Sequence, residues 1–285
     1  MSAQATLLPG NRLHLNHGPI DLVISAEGEP ADVRRAYHVA AAMFPNILPE
    51  LVTKLAILRS PIGEAKPMVM NPIARRMVDA VWPYRDVFVT PMAAVAGAVA
   101  EHVLEVMVDA APLRRAIVNN GGDIAIHLAD GETMRAGVVG DLSLPKLDAA
   151  IEITSDDPIR GIATSGWRGR SLSLGIADAV TVLAPSAAMA DAAATMIANA
   201  VNIDDPAIDR LPACDVRDDS DLGDLPVTVD VGLLDSRKVE QALENGVDRA
   251  AELLARGLIA AAYLQLQDQV RVVGVGQQSA PLRAA

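Results

Sequence analysis

The chain is poor in three things. Cys214 is its only cysteine, aromatic residues make up 2% of 285 residues, and Lys and Arg number 24 against 36 Asp and Glu. One cysteine excludes an internal disulfide or a thiolate metal cluster and suits a reducing compartment. With so few rings, the core must be built from Ala, Val, Leu, Ile and Met, within a hydrophobic share of 51%. The net charge of −12 and a pI near 4.8 create a field that repels nucleic acid and anionic membrane surfaces, so neither is an expected partner. A phosphate ligand would need a local device, such as a bound cation or a ring of backbone amides. No window of about 18 uninterrupted strongly apolar residues occurs, so no membrane span is expected. MSAQATLLPGNRLHLNHG lacks a cationic region followed by an apolar one, so no signal peptide is expected and a cytoplasmic location is. There is no Walker-type loop, no G-x-G-x-x-G after a strand and no G-x-S-x-G elbow.

What is present alternates between helical and strand periodicity. RLHLNHG and PIDLVIS read as a hairpin. PADVRRAYHVAAAMFPNILPELVTKLAIL reads as a helix interrupted at Pro45 and Pro49. A short helix is expected over Ile73 to Val81, then a short strand in DVFVTPM feeding the helix AAVAGAVAEHVLEVMVDA. RRAIVNNGGDIAIHLADGETMRAGVV reads as three strands, and AAIEITSDD, RGIATSG and DAVTVLAP as three more. The acidic stretch from Asp204 to Pro226 reads as a loop or insertion. LPVTVDV is a strand, a long amphipathic helix is expected from about Asp235 to Gln267, and QVRVVGVG is a last strand before the tail SAPLRAA, which is expected to fray. The pattern predicts a single α+β domain over residues 1–285 with a largely antiparallel sheet packed by helices.

Four segments carry polar groups suited to chemistry. ADAAATMIANAVNIDD, following a Ser186 N-cap, is an alanine-rich helix with Asp191, Thr195, Asn199 and Asn202 on one line, spaced by four, four and three. Asp191 and Thr195 present two oxygens one turn apart, which suits a hard cation such as Mg2+. The alternative is the wet side of a surface helix. NNGGDI, with Asn120, Gly121, Gly122 and Asp123, offers bare amides and a carboxylate, or else an ordinary Asn-Gly hairpin turn. GIATSGWRGRS offers Thr164, Ser165 and Gly166 as a phosphate or ribose shelf with Arg168 as an anion-binding fork, or a plain polar loop. AAVAGAVAEHV places Gly97 where a helix or a flat ligand packs closely, with Glu101 and His102 beyond it. His14, His17, His38 and His127 show no metal-ligand spacing.

In this order the segments resemble the motif series of the ApbE-like superfamily, whose members include FAD:protein FMN transferases. The resemblance covers roughly Pro91 to Asn202. It implies a T-fold-like architecture and a flavin nucleotide, FAD or FMN, held with Mg2+. It also implies that Asp191 and Thr195 bind the metal and that Gly97, Glu101, Asn120, Gly121, Gly122, Asp123, Thr164, Ser165 and Gly166 line the cofactor. Two features depart from flavin transferases: the lysine before the helix glycine is Ala96, and an H-x-x-D-P-x-T-G segment is replaced by SLSLGIADAVTV. Asp178 is the carboxylate placed to take over part of that segment's role, giving Asp178, Asp191 and Arg168 as the expected catalytic set. The resemblance implies transfer or hydrolysis at a phosphate anhydride. A pterin-type cofactor, or a non-enzymatic cofactor carrier or assembly subunit, are the other readings. The small-residue faces and the long C-terminal helix suit a homodimer.

Overall fold

The computed structural model describes residues 2–138 and 149–274; the tail from Ser279 lies outside them. Two compact units divide the chain. The first takes residues 1–134, 153–163 and 184–192, and the second residues 135–152, 164–183 and 193–285.

The first unit is an antiparallel sheet covered by helices. β1 (Gln4–Leu8) leads into β2 (Arg12–His17) and β3 (Ile20–Glu27). In β2 and β3 the alternation places Leu13, Leu15, Ile20, Leu22 and Ile24 in the core, as a half-buried sheet demands. β1, which the sequence does not signal, is added at the edge through a turn in which Gly10 and Asn11 both take positive φ. Next to β3 lies β4 (Arg115–Asn120), then β5 (Asp123–Leu128), then the start of β8 (Gly161–Ser165). Each neighbour is antiparallel, with Leu22 opposite Asn120, Val118 opposite Ala125 and Ile124 opposite Ile162.

The helix expected to break at its prolines does not. α1 (Pro30–Val52) runs through Pro45 and Pro49. Both rings are exposed, while Phe44, Ile47 and Leu51 are buried on the other side. That burial carries the helix past two missing backbone donors. After the single turn α2 (Leu55–Leu58), α3 (Pro72–Val81) starts where expected, with the Asn71 side chain accepting from the Ala74 amide at 2.9 Å. DVFVTPM does not form the expected strand. Thr90 accepts from the Met92 amide and opens a 3-10 turn over Pro91–Ala94, because Pro91 cannot donate to a ladder. α4 (Val95–Ala110) follows and packs on α1, α3, β4 and β5. The stretch Pro91–Ala110 is long and apolar enough to cross a membrane by length and composition, contrary to the expectation from the sequence, but half of it is buried inside the protein. Its apolar faces are thus occupied by the core.

β6 (Thr133–Val138) and β7 (Ala149–Thr154) pair in a small sheet of their own. In the second unit, β9 (Ala179–Ala184) is buried along its whole length. The acidic stretch expected as loop contains β10 (Ile208–Pro212) and one turn of helix, α6 (Ala213–Val216), with β10 antiparallel to β11 (Pro226–Val231). The long C-terminal helix is shorter than expected. α7 (Ser236–Ala255) stops at an Arg256 C-cap followed by Gly257 at φ +69°. The next residues, AAYLQL, alternate in burial and form β12 (Ala261–Leu266), paired with β9 on one side and with β13 (Gln269–Gly274) on the other. Helical periodicity masked the change to a period of two; the left-handed glycine marks it. A Cβ at position 257 meets no atom within 4 Å, so Gly257→Ala is a test of backbone conformation alone. It should cost about 1–2 kcal/mol in urea unfolding, and an unchanged midpoint would contradict the helix end assigned here.

Candidate cofactor site

α5 (Ala187–Ala200) begins as expected, with Ser186 Oγ accepting from the Met189 amide at 3.3 Å. Its first turns cross the start of α4 at contact distance. A Cβ on Gly97 would lie 2.2 Å from the Ala187 carbonyl oxygen, and one on Gly161 would lie 2.3 Å from Ser186 and Ala187 backbone atoms. Glycine is therefore required at both positions for the backbones to approach. The close partner of Gly97 is a helix, one of the two options its sequence context offered.

At this crossing each helix supplies a carboxylate to the other's N-terminus. The Gly97 amide donates to Asp191 Oδ2 at 2.9 Å, and the Ala188 amide donates to Glu101 Oε2 at 3.1 Å. These are amides that a helix leaves unsatisfied in its first turn, at the end where its dipole favours negative charge. α4 has no side-chain cap from its own N-cap residue, Ala94, so Asp191 does that work from another helix. Asn120 joins the same corner. Its Nδ2 donates to the Ala96 carbonyl at 3.0 Å and its Oδ1 accepts from the Asp21 amide. Glu101 is not free for a ligand: its other oxygen is 2.7 Å from Arg76 Nε.

Asp191 is half-buried and no cationic side chain pairs with it among the described residues. Burial strips water from the carboxylate and raises its pKa to about 7, against the opposing pull of the Gly97 and Ala96 amides. Thr195, one turn on, is also half-buried. The remaining polar line has structural partners. Asn199 Oδ1 accepts from the Leu174 amide at 3.0 Å, Asn202 Nδ2 donates to the Leu174 carbonyl, and Asn202 Oδ1 accepts from Arg210. Gly175 makes this seat, since a Cβ there would lie 2.1 Å from the Ala198 carbonyl oxygen.

The double-glycine turn is a two-residue hairpin between Asn120 and Asp123, with Gly121 and Gly122 at φ +65° and +116°. The Gly122 amide, expected to be bare, donates to Asn119 Oδ1 at 2.8 Å. In the second unit, Thr164 Oγ1 pairs with Thr181 Oγ1 at 2.8 Å. Ser165 follows it at the end of β8, half-buried. Gly166 lies with its Cα against the Asp178 carbonyl, where a Cβ would come within 2.5 Å. Asp178 is engaged at both oxygens. Oδ1 accepts from Trp167 Nε1 at 3.1 Å and from Arg168 Nε at 2.6 Å, and Oδ2 accepts from the Gln267 amide. Arg168 also stacks over the Trp167 ring, 4.6 Å from its centroid. Asp178 and Arg168 thus fasten the loop after β8 to each other and to the β12–β13 turn. Sequence reasoning missed Arg76, Trp167 and Thr181. Of these only Trp167, one of two tryptophans, carried a signal. Among the described residues no three His, Cys, Asp or Glu side chains gather into a metal cluster.

A family model described as AbpE bacteria matches residues 4–272, so the chain belongs to that family, within the ApbE-like superfamily its motifs resemble. A UPF0280 protein of Methanothrix thermoacetophila is 42% identical over 134 residues, covering 47% of this chain and 54% of that protein. One of Archaeoglobus fulgidus is 40% identical over 113 residues, covering 40% and 45%. The chain spans about half the length of the curated relatives it matches. A mutant of the flavin transferase ApbE from Vibrio cholerae superposes with a TM-score of 0.45 at 11% identity, covering 92% of this chain and 96% of that one. So distant a likeness carries no argument about this chain.

Two results are expected from the crossing. Gly97→Ala should push the helices apart and cost about 1–3 kcal/mol in thermal or urea unfolding, where a neutral outcome would refute the contact. Asp191 has a folded pKa above its ordinary value of 3.8, so its neutral form is the one the fold favours. In the metal-free protein its contribution to stability is complete below about pH 4 and is lost as pH rises to about 7, by up to roughly 4 kcal/mol. Asp191→Asn should remove that slope. A wild-type curve no steeper than the variant's across this range would show that the carboxylate is hydrated.

Proposed function

We propose that this protein binds a flavin nucleotide, FAD or FMN, together with Mg2+ held by Asp191 and Thr195. The observation that carries the reading is the state of Asp191, a half-buried carboxylate with amide hydrogen bonds and, among the described residues, no cationic side chain paired with it. A divalent cation supplies the missing countercharge, and the Thr195 hydroxyl, one turn further along α5, supplies a second oxygen ligand. Two protein ligands leave places for phosphate oxygens and water, the arrangement Mg2+ favours. In an acidic protein of net charge −12, such an ion is the local device a pyrophosphate needs. Membership of the AbpE family supports the flavin, and the turn at Gly121 to Asp123 and the loop at Thr164 to Gly166 are assigned to it by the same resemblance. The bound cation would neutralise charge developing at a phosphate anhydride, so transfer or hydrolysis there is the reaction class. A cytoplasmic location fits the single cysteine.

One observation favours a carrier over a catalyst. Asp178 and Arg168, expected to work on substrate, are tied to each other and to Trp167 and Gln267, and Ala96 stands where flavin transferases carry lysine. Isothermal titration with FAD, with and without Mg2+, tests the binding claim: FAD should bind more tightly by at least about tenfold with Mg2+. Absence of binding by FAD, FMN and ADP would overturn it. Tight binding without turnover against any acceptor would make the protein a carrier.

A further inference from the structure

We propose that Arg76, on α3, is a positioning residue for the cation site, acting through Glu101. The ligand in this inference rests on the function proposed above; the geometry stands on its own. Arg76 Nε lies 2.7 Å from Glu101 Oε1, and its Nη2 donates to Glu105 Oε2 at 3.0 Å. The other oxygen of Glu101 accepts from the Ala188 amide, in the first turn of α5, and Asp191 lies three residues further along that helix. Arg76 and Glu101 are both mostly sheltered, at 21% and 24% side-chain exposure. Without the guanidinium, Glu101 would be a sheltered anion with one neutral hydrogen bond, drawn to swing toward water. The α5 N-terminus would then lose its fixed seat on α4, and Asp191 its alignment over the Gly97 amide.

The surroundings of Arg76 fit a dedicated role. Nη1 makes no hydrogen bond among the described residues, so the side chain is held by its two carboxylates. His102, whose Nδ1 is 3.7 Å from Glu105, is pushed by burial and by Arg76 toward its neutral form. It therefore does not compete as a cation for either glutamate. Among the described residues Arg76 pairs with Glu101 and Glu105 and with neither Asp191 nor Thr195, so any effect on ligand binding must pass through Glu101 and α5. Removal of such an outer partner typically lowers metal affinity by about 10–100-fold.

The test is FAD binding to the full chain, measured in Mg2+ and in EDTA. Arg76→Met should weaken binding by about 10–100-fold in Mg2+ while leaving binding in EDTA nearly unchanged, and Arg76→Lys should restore most of the loss. Equal weakening in both buffers, or no change, would overturn the proposal, since a merely structural role moves both. If Arg76→Met does not fold, Glu101→Gln is read in the same way, because it keeps an acceptor for Ala188 and removes the charge for Arg76. If the wild type binds no FAD, the function proposed above fails, and amide exchange decides the positioning claim. Faster exchange at Ala188 in the variant, with α7 amides unchanged, supports it; no selective change refutes it.

Discussion

The contact of α4 with α5 at Gly97 is the constraint on which the site depends. Two helix backbones meet where a single methyl group would collide with a carbonyl oxygen. Because they are that close, each can lend a carboxylate to the other's unsatisfied amides, Asp191 to Gly97 and Glu101 to Ala188. The geometry is reciprocal: neither cap forms unless both helices are in register, so two short polar contacts fix the placement of an otherwise smooth, alanine-rich helix. A core with so few aromatic rings has little other means of specifying how its helices index against each other.

The same arrangement puts two demands on Asp191. It caps α4 through the Gly97 amide, and it is also a carboxyl group whose charged form burial disfavours, with no cationic side chain paired to it among the described residues. A purely structural cap in this position would be better served by a neutral asparagine, which accepts from an amide without the cost of burying charge. The carboxylate, in place of an amide, is the feature on which the proposed cation rests. Asp178 shows the contrast. It too is a sheltered aspartate at a predicted site, but Arg168, Trp167 and the Gln267 amide satisfy it completely, and its role in the fold needs no ligand to explain it.

Much of the fold could be read from the sequence because its signals are local. The Ser186 cap, the Asn71 cap, the Gly-Gly hairpin and the alternation in β2 to β5 all depend on residues within a few positions of one another. Misreadings arose where distant packing overrides a local rule. Buried Phe44, Ile47 and Leu51 hold α1 across two prolines, and the ladder with β9 captures AAYLQL after Gly257. The motif order placed the chain in its family, and spacing by four is what nominates Asp191 and Thr195 as the pair proposed to hold a cation. Arg76 was invisible because its importance comes from Glu101, 25 positions away, and because nothing in the α3 sequence distinguishes it from its neighbour Arg75.

The most direct measurement is anomalous scattering from crystals grown with FAD and Mn2+ in place of Mg2+. The account predicts a peak about 2.1 Å from an Asp191 carboxylate oxygen and the Thr195 hydroxyl, with phosphate oxygens completing its shell. Ordered FAD with the manganese peak elsewhere, and Asp191 and Thr195 ligating nothing, would contradict it.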